Sequence, residues 1–421
     1  MDTIYPCAKV FENGRWRDGG IAVRNGLVIG SGDGCGDGAG ATPGLVAVPA
    51  FADVHVHLRE PGFTAKETIA TGTAAAAGGG YADVCAMPNL SPVPDSTATL
   101  RPQLDAIARD AHVRVHPIGA ITAGERGERL ADLEGLAPFV CGFSDDGHGV
   151  QDAGLLREAM HRARALGRPI VAHCEVNALL SPGGCVHAGR WAAAHGFPGI
   201  SSESEWRMIE RDLDLVRETR CPYHVCHVST REGVSLVRAA KAEGLPVSCE
   251  TAPHYLVLCE DDLRDEGRFK MNPPLRAAAD RDALVAGLLD GTVDCIATDH
   301  APHTATEKAR GLRGSPFGVV GLECAFAVLY TRLVATGIAP FELLLDRLST
   351  RPRRIFGLPE ITLTPGTSAD FALLDLHADE TVDPSRFRSM GRATPFEGMH
   401  VGAAVRGLAL GGRMVNAMMT K

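Results

Sequence analysis

Apolar segments rich in β-branched residues alternate along residues 50–350 with segments whose apolar positions recur at the helical period. Two amphipathic helices are predicted at 154–166 and 231–242, and the second lies between Ser229-Thr230 and Gly244-Leu245-Pro246, which are typical helix start and stop signals. Continuous apolar strands separated by helices indicate a parallel sheet covered on both faces. The predicted strands are 48–57, 82–87, 113–121, 139–144, 170–175, 223–228, 247–251 and 293–298.

Eight strand–helix units in succession fit an α/β fold of the (β/α)8 TIM-like barrel type, in which functional groups lie at the C-terminal ends of the strands. The structural alternative is a doubly wound open sheet. That fold calls for a glycine-rich phosphate loop after its first strand, where this chain has His57-Leu58-Arg59-Glu60-Pro61-Gly62 instead. We therefore expect a barrel over residues 50–359.

The two ends of the chain differ from the middle, because they are glycine-rich and carry only short β-like pieces. Residues 1–49 and 360–421 share this character, and a turn cluster at 364–370 marks a boundary between the middle and the C-terminal end. Two β-like ends that bracket a barrel predict one small β-sandwich domain assembled from both termini.

Composition narrows the class of protein. The net charge is −9 and no lysine/arginine block is present, which argues against a nucleic-acid surface. The twelve cysteines follow no regular pairing pattern and several lie in apolar runs, as reduced cytosolic cysteines do. Neither a secretory signal nor an apolar stretch long enough to span a membrane is apparent. We expect a cytoplasmic protein that binds neither nucleic acid nor membrane.

The motif Asp53-Val54-His55-Val56-His57 ends the first predicted strand. Alternate side chains of a strand share one face, so the two histidines project the same way and can bind one zinc-like ion. By itself this motif is more simply explained by two partly buried structural histidines.

Polar residues at the ends of further strands favour the metal site. In a barrel these strand ends converge on one mouth. Four histidines and two aspartates match the ligands of a two-metal hydrolytic centre, which lowers the pKa of a water and polarises a carbonyl group. Besides His55 and His57, the strand-end residues are Asn89, the neighbours Asp145 and Asp146, His173, His227 and Asp299.

The chain resembles the amidohydrolase superfamily and, within it, the bacterial class I dihydroorotases. The segment 53–61 (DVHVHLREP) matches the first signature of that family, and 297–303 (ATDHAPH), followed by Lys308, matches the second. Between them and shortly after them the family blocks occur in family order over roughly 300 residues. These blocks are MPN at 87–89, FSDDG at 143–147, AHCE at 172–175, HVCHVS at 224–229, MNPPLR at 271–276 and PFG at 316–318.

One departure from the wider superfamily concerns the group shared by two metals. Many relatives use a carboxylated lysine there, but this chain has no lysine between Lys66 and Lys241. The resemblance to dihydroorotases implies that Asp146 takes this position, on the family spacing to His173. Asp145 is the competing candidate, and the two neighbours are not separated by the sequence.

The resemblance also implies a role for each site residue. His55, His57 and Asp299 would hold one zinc ion, His173 and His227 would hold another, and Asp146 would be shared, with one or two ions bound per subunit. Asp299 would carry the proton from water to the leaving ring nitrogen. The substrate carboxylate would meet Arg59, Asn89 and His303, and the ring would meet Asn272 and the backbone of Phe317 and Gly318.

The implied activity is reversible, zinc-dependent hydrolysis of the cyclic amide of (S)-dihydroorotate to N-carbamoyl-L-aspartate, a step of pyrimidine biosynthesis. One alternative is another cyclic amidase of the allantoinase or dihydropyrimidinase kind, against which the charge of Arg59 argues. Another is a non-catalytic dihydroorotase-like subunit of an aspartate carbamoyltransferase complex, against which the complete ligand set argues. The open alternatives for protein partners are a second copy of the chain and aspartate carbamoyltransferase.

Overall fold

The structure is a computed structural model that describes residues 2–32, 35 and 43–417. Four parts of the predicted terminal domain lie outside the described residues, namely 1, 33–34, 36–42 and 418–421. Parallel strands and helices occupy the middle of the chain, and mainly antiparallel strands come from its two ends. This confirms the α/β class.

The parallel strands of the middle form two groups, and within each group every strand pairs in parallel with the next member of that group. A parallel bridge between Val56 and His300 connects the segment after the last of these strands to the end of the first. The carboxyl ends of all these strands therefore lie on one side. Three strands form one group, Phe51–Val56, Tyr81–Ala86 and Arg114–Pro117. Six form the other, Gly119–Ala120, Phe143–Ser144, Ile170–Ala172, Tyr223–Val225, Val247–Thr251 and Cys295–Ile296.

The predicted strands are confirmed in position, but most are shorter than predicted, and the first and third are wrong as single strands. The predicted strand 113–121 is divided into Arg114–Pro117 and Gly119–Ala120, which belong to different sheets. The chain changes partner at Ala50: Leu45–Pro49 pairs with Phe371–Asp375, whereas Phe51–Val56 pairs with Tyr81–Ala86. Both halves are largely buried and no polar residue lies between them, so the sequence pattern gives no sign of the change.

Helices follow the strands throughout the middle of the chain. The predicted helix Arg231–Ala242 has the expected bounds, and the side chain of its N-cap Thr230 accepts a hydrogen bond from the Gly233 amide. Among the described residues, no helix is both long and apolar enough to cross a membrane. The α-helices are Ile69–Gly78, Thr97–Asp110, Leu133–Leu136, Ala153–Ala165, Arg190–His195, Glu203–Thr219, Arg231–Ala242, Pro253–Val257, Ala278–Asp290, Ala305–Lys308, Gly311–Gly314, Ala325–Leu329, Phe341–Leu345 and Arg351–Phe356. Short 3₁₀ segments lie at Ala123–Glu125, Asn177–Leu179, Glu260–Asp262, Gly267–Phe269 and Pro384–Arg386, and π-helical turns at Tyr330–Val334 and Asp346–Thr350.

Strands from both ends of the chain interleave in one sheet, whose order is Arg413–Ala417, Ala404–Leu410, Phe371–Asp375, Leu45–Pro49, Lys9–Glu12 and Arg15–Asp18. A second sheet contains Thr3–Tyr5, Gly20–Arg24 and Leu27–Gly32. Two small pairs complete the strands, Val186–His187 with Gly199–Ile200 and Glu380–Thr381 with His400–Val401.

A buried ionic network joins the parallel strands to the terminal sheet. The Asp83 carboxylate accepts hydrogen bonds from Arg114 (2.8 Å) and Arg353 (2.6 Å) and lies 2.8 Å from His116 Nε2. Arg114 also donates to Asp370, which directly precedes a strand of the terminal sheet (2.8 Å). Removing Asp83 would leave the buried Arg353 guanidinium without its ion-pair partner, a loss typically worth about 3–5 kcal/mol. The network therefore fixes the terminal sheet to the end of the parallel strands opposite His55 and His57.

Candidate metal centre

The first strand presents its two histidines at its carboxyl end. His55 lies within Phe51–Val56, and His57 follows directly, held by a hydrogen bond from its amide to the His300 carbonyl (2.8 Å). The two ring centroids are 5.4 Å apart, as expected for alternate positions that share one face. Both side chains are buried.

Asp146 lies at the centre of the predicted ligands and approaches all four histidines. His55 Nε2 and His57 Nε2 are each 3.5 Å from its carboxylate, His227 Nε2 is 3.6 Å away and His173 Nδ1 is 3.7 Å away. These distances place Asp146 where a ligand shared by two ions would lie.

Asp299 lies against the histidines of the first strand. Its Oδ1 is 3.3 Å from His57 Nε2 and 3.5 Å from His55 Nε2. On the other side of the cluster, His173 Nδ1 and His227 Nε2 are 3.0 Å apart. The structure thus brings the six predicted ligands together, with His55, His57 and Asp299 on one side and His173 and His227 on the other.

The cluster fits a metal ion of the zinc type. His55 Nε2 and Asp146 Oδ1 are buried without a hydrogen-bond partner within the described residues, which is costly unless a cation binds there. Although burial opposes it, Asp146 and Glu250 raise the pKa of His55 well above its ordinary value, so the site favours a positive charge. Imidazole nitrogens and carboxylate oxygens are suitable zinc ligands.

Two of the ligands are held by unusual backbone geometry. His227 has φ +33° and Asp299 has φ +48°, and Arg59, two residues after His57, has φ +59°. Residues other than glycine rarely adopt the left-handed region, at a cost of roughly 1–2 kcal/mol each. Such strain concentrates at functional sites, where surrounding contacts hold it in place.

Glu250 is a functional residue that the sequence analysis missed. Its carboxylate lies 2.7 Å from His55 Nδ1 and 3.1 Å from His224 Nε2. A carboxylate only accepts, so His55 Nδ1 carries the proton and its Nε2 is left free for a metal. The clue in the sequence was a glutamate inside a buried strand, Val247–Thr251. His224 belongs to this arrangement and not to the predicted ligand set.

Asp53 connects the first and last parallel strands below the cluster. Its carboxylate accepts hydrogen bonds from the His55 amide (3.1 Å) and from the Thr298 hydroxyl (2.6 Å). Burial raises the pKa of Asp53 to about 7, although these hydrogen bonds oppose the shift. The contact holds the histidines of the first strand in register with Asp299.

The neighbours Asp145 and Asp146 have different surroundings. Asp145 accepts hydrogen bonds from the amides of Ile121 (2.8 Å) and Thr122 (3.0 Å) and from the Thr122 hydroxyl. The Asp145 carboxylate therefore fixes the loop that follows the strand Gly119–Ala120, while the Asp146 carboxylate faces the histidines. The geometry favours Asp146 as the shared ligand.

The predicted carboxylate-binding residue Arg59 lies partly buried beside His303. Arg59 donates to the Pro302 carbonyl (3.3 Å), and its Nη2 is 3.4 Å from His303 Nε2. His303 Nε2 in turn lies 2.7 Å from the Phe317 carbonyl. Gly318 adjoins this group with φ +126°, and an added Cβ there would lie 2.6 Å from the Ala301 carbonyl oxygen. The second signature and the 316–318 turn therefore meet at Arg59.

The two predicted asparagines lie on opposite sides of the cluster. Asn89 donates to the Asp146 carbonyl (2.5 Å), and Asn272 donates to the Glu175 carboxylate (3.2 Å). The side-chain oxygen of each is buried and has no partner among the described residues, so each amide has an unused acceptor. Glu175 also approaches His173 Nε2 (3.8 Å), where it can support this predicted ligand.

Glu125 is a second residue that sequence reasoning missed. It lies in a short 3₁₀ segment after the third strand and has φ +55°. Burial, with Asp145 and Asp146 nearby, raises the pKa of Glu125 to about 9. Its burial was not predictable, because Glu125 lies in a polar, glycine-containing stretch that resembles an exposed loop.

Fold and site together are those of the amidohydrolases. The structure matches an L-hydantoinase from Arthrobacter aurescens with a TM-score of 0.86 and 26% identity, over 98% of this chain and 96% of that one. A dihydropyrimidinase from Brevibacillus agri shares the fold, with a TM-score of 0.85 and 22% identity, over 99% of this chain and 95% of that one.

Sequence relatives narrow this class. A family model described as dihydro-orotase-like matches residues 44–233. A dihydroorotase of Shouchella clausii is 48% identical over 96% of this chain and 95% of its own length. A dihydroorotase of Geobacillus thermodenitrificans is 51% identical over 84% of this chain and 83% of its own length. The chain belongs to the dihydroorotase family.

Proposed function

We propose that this protein hydrolyses the cyclic amide of (S)-dihydroorotate to N-carbamoyl-L-aspartate, and catalyses the reverse cyclisation, in pyrimidine biosynthesis. The observation that carries the proposal is the convergence of four histidines and two aspartates beside a partly buried arginine, Arg59. The histidines and aspartates suit metal-dependent amide hydrolysis, and the arginine suits an anionic substrate.

The six converging side chains would hold one or two zinc ions. His55, His57 and Asp299 would bind one ion, His173 and His227 the other, and Asp146 would be shared between them. When bound, zinc lowers the pKa of a water and polarises the amide carbonyl. The protein orients these ligands through Glu250 and Asp53.

Asp299 would move the proton. Although burial opposes the shift, His57 and His55 lower the pKa of Asp299, so its carboxylate is ionised at neutral pH. It can therefore accept the proton of the attacking water and deliver it to the ring nitrogen as the C–N bond breaks.

Arg59, Asn89 and His303 would bind the substrate carboxylate. A buried guanidinium needs an anionic partner, and its planar fork matches a carboxylate. Asn272 and the backbone of Phe317 and Gly318 would contact the ring.

A cyclic amidase for uncharged rings is the second candidate, since the structural neighbours carry the names hydantoinase and dihydropyrimidinase. Burial of Arg59 next to the cluster speaks against it, because an uncharged ring leaves the guanidinium without a counter-charge. A non-catalytic subunit has no need for six converging ligands.

The organisation of the protein is part of the proposal. The parallel strands in chain order support a (β/α)8 barrel over residues 50–359, and the interleaved terminal strands support a β-sandwich domain from 1–49 and 360–421. All twelve cysteines are unpaired, which suits the reducing cytoplasm. A second copy of the chain or aspartate carbamoyltransferase would be the protein partner.

The substrate is tested by comparing kcat/KM of purified, zinc-loaded protein for dihydroorotate, dihydrouracil and hydantoin. We expect a strong preference for dihydroorotate, and loss of most turnover in Asp299→Asn with the fold retained. Equal rates on the uncharged rings would refute the assignment of Arg59, and near-normal turnover by Asp299→Asn would refute its role in proton transfer.

A further inference from the structure

The imidazole of His303 lies between two cations and a carbonyl group. Lys66 Nζ is 3.1 Å from its Nδ1, and Arg59 Nη2 is 3.4 Å from its Nε2. The Phe317 carbonyl oxygen is 2.7 Å from the same Nε2. Arg59 is thus close to the side of the ring that faces Phe317, and Lys66 contacts the other side.

These partners determine which ring nitrogen carries the proton. An ammonium group can only donate, so His303 Nδ1 must accept from Lys66. A carbonyl can only accept, so His303 Nε2 must donate to Phe317. Both contacts are satisfied by one species, the neutral imidazole with its hydrogen on Nε2.

The charges around His303 favour the same species. Burial, followed by the charges of Arg59 and Lys66, lowers the pKa of His303 to about 3, and Lys308 acts in the same direction. One anion faces the ring: Glu307 Oε2 is 3.6 Å from Nδ1. Lys66 offsets it, because its Nζ forms an ion pair with Glu307 Oε1 at 3.1 Å.

We propose that Lys66 is a positioning residue of the substrate-anion pocket, which acts by holding His303 as the neutral imidazole with its proton on Nε2. The proposal rests on the proposed function, in which Arg59 and His303 bind a carboxylate. A neutral ring of fixed tautomer presents an N–H in a fixed direction beside the guanidinium. An imidazolium at this place could still donate from Nε2 to Phe317, but its Nδ1 would donate to Glu307 instead of accepting from Lys66, so the lysine would no longer hold the ring.

Lys66 acts at a distance from the hydrolytic chemistry. Its ammonium contacts His303, Glu307 and the ring of Phe63, the last at 5.8 Å from the ring centroid. Loss of Lys66 should therefore weaken substrate binding and leave the chemical step and the metal content unchanged.

The direct test is the protonation state of His303 in the substrate-free, zinc-loaded protein. Imidazole ¹⁵N chemical shifts distinguish the two tautomers and the imidazolium, and His303→Gln assigns the signal. In the wild type we expect Nε2–H with Nδ1 unprotonated across the neutral range. In Lys66→Met, Glu307 faces Nδ1 without its lysine, so the ring should gain a proton at higher pH than in the wild type.

Three further variants separate charge and donor effects. Arginine also only donates, so Lys66→Arg should retain the wild-type tautomer. Adding Glu307→Gln to Lys66→Met removes the carboxylate that draws the proton, and the ring should return to the neutral state. Lys9→Met makes the same substitution at an exposed lysine of the terminal sheet and should change nothing.

The functional readout is the division between KM and kcat for dihydroorotate. Lys66→Met should raise KM roughly tenfold, the scale of one hydrogen bond to a charged group, with kcat little changed. Lys66→Arg should recover most of the affinity.

Two results would overturn the role of Lys66. One is a His303 signal in Lys66→Met that keeps the wild-type tautomer and titration, and the other is a fall in kcat with KM unchanged. Failure of the proposed function is distinguishable, because it would be seen as absence of dihydroorotate turnover by the wild type, whatever the His303 spectrum shows.

Discussion

Replacing Glu250 by glutamine tests whether this carboxylate orients the predicted metal ligand His55. The Glu250 carboxylate is buried and accepts from His55 Nδ1 at 2.7 Å, from His224 Nε2 at 3.1 Å and from the His227 amide at 3.3 Å. Glu250→Gln keeps the shape of the side chain but removes the charge and turns one acceptor into a donor.

The contacts of Glu250 indicate how much zinc affinity the Glu250→Gln variant should lose. His224 can shift its proton to Nδ1, which faces the Ser248 hydroxyl at 2.8 Å, and then accept from the new amide. The fold should therefore survive, while His55 loses its charged partner. Outer partners of this kind are worth about 10–100-fold in metal affinity, equivalent to about 1.4–2.7 kcal/mol.

The assay is zinc affinity, measured by competition with a chromophoric chelator at constant pH. Glu218→Gln is the matched control, because Glu218 is exposed and paired with Arg157. We expect weaker zinc binding in Glu250→Gln only, with an unchanged circular dichroism spectrum. Affinity equal to that of the wild type would refute the argument that Glu250 orients His55.

Four further predictions follow from individual contacts. Arg59→Met should lower kcat/KM for dihydroorotate roughly tenfold to a hundredfold at unchanged metal content, measured by steady-state kinetics and elemental analysis. Lys308→Met should raise KM and lower Tm, because the ammonium donates to three backbone carbonyls that hold the 316–318 turn. Asp146→Asn should lose metal, whereas Asp145→Asn should keep metal and lower Tm; equal metal loss would show that both aspartates are ligands. The pKa of Glu125 is raised from 4.5 to about 9, so the stability its protonated form confers is lost as pH rises through that interval. Glu125→Gln should therefore raise the Tm of metal-free protein more at pH 8 than at pH 5; an equal change at both values would contradict the shift.

The sequence was sufficient for most of the parallel strands because their side chains are largely buried and so form short apolar runs. The same property concealed where strands end. Leu45–Pro49 is apolar and Phe51–Val56 continues it with only Asp53 and His55 as polar residues, so only the distant partner Phe371–Asp375 shows that they belong to different sheets. Strand bounds depend on pairing across hundreds of residues, which local pattern does not contain.

The site was predictable where chemistry coincides with a strand end. His173 and His227 each follow a short apolar strand in parallel order, so their convergence follows from topology. Glu250 and Lys66 were not predictable in this way, since their roles depend on partners far along the chain. Glu250 lies within its strand instead of beyond its end, and Lys66 precedes a helix in a polar stretch.

The central claim is that six converging side chains hold the metal on which amide hydrolysis depends. It is tested most directly by stripping the protein of metal and measuring dihydroorotate hydrolysis as zinc is returned, with bound zinc counted in the same samples. We predict no turnover in the stripped protein, and recovery in proportion to bound zinc until one or two ions are bound per subunit. Full turnover by the stripped protein, or saturation with zinc without any hydrolysis of dihydroorotate, would contradict the claim.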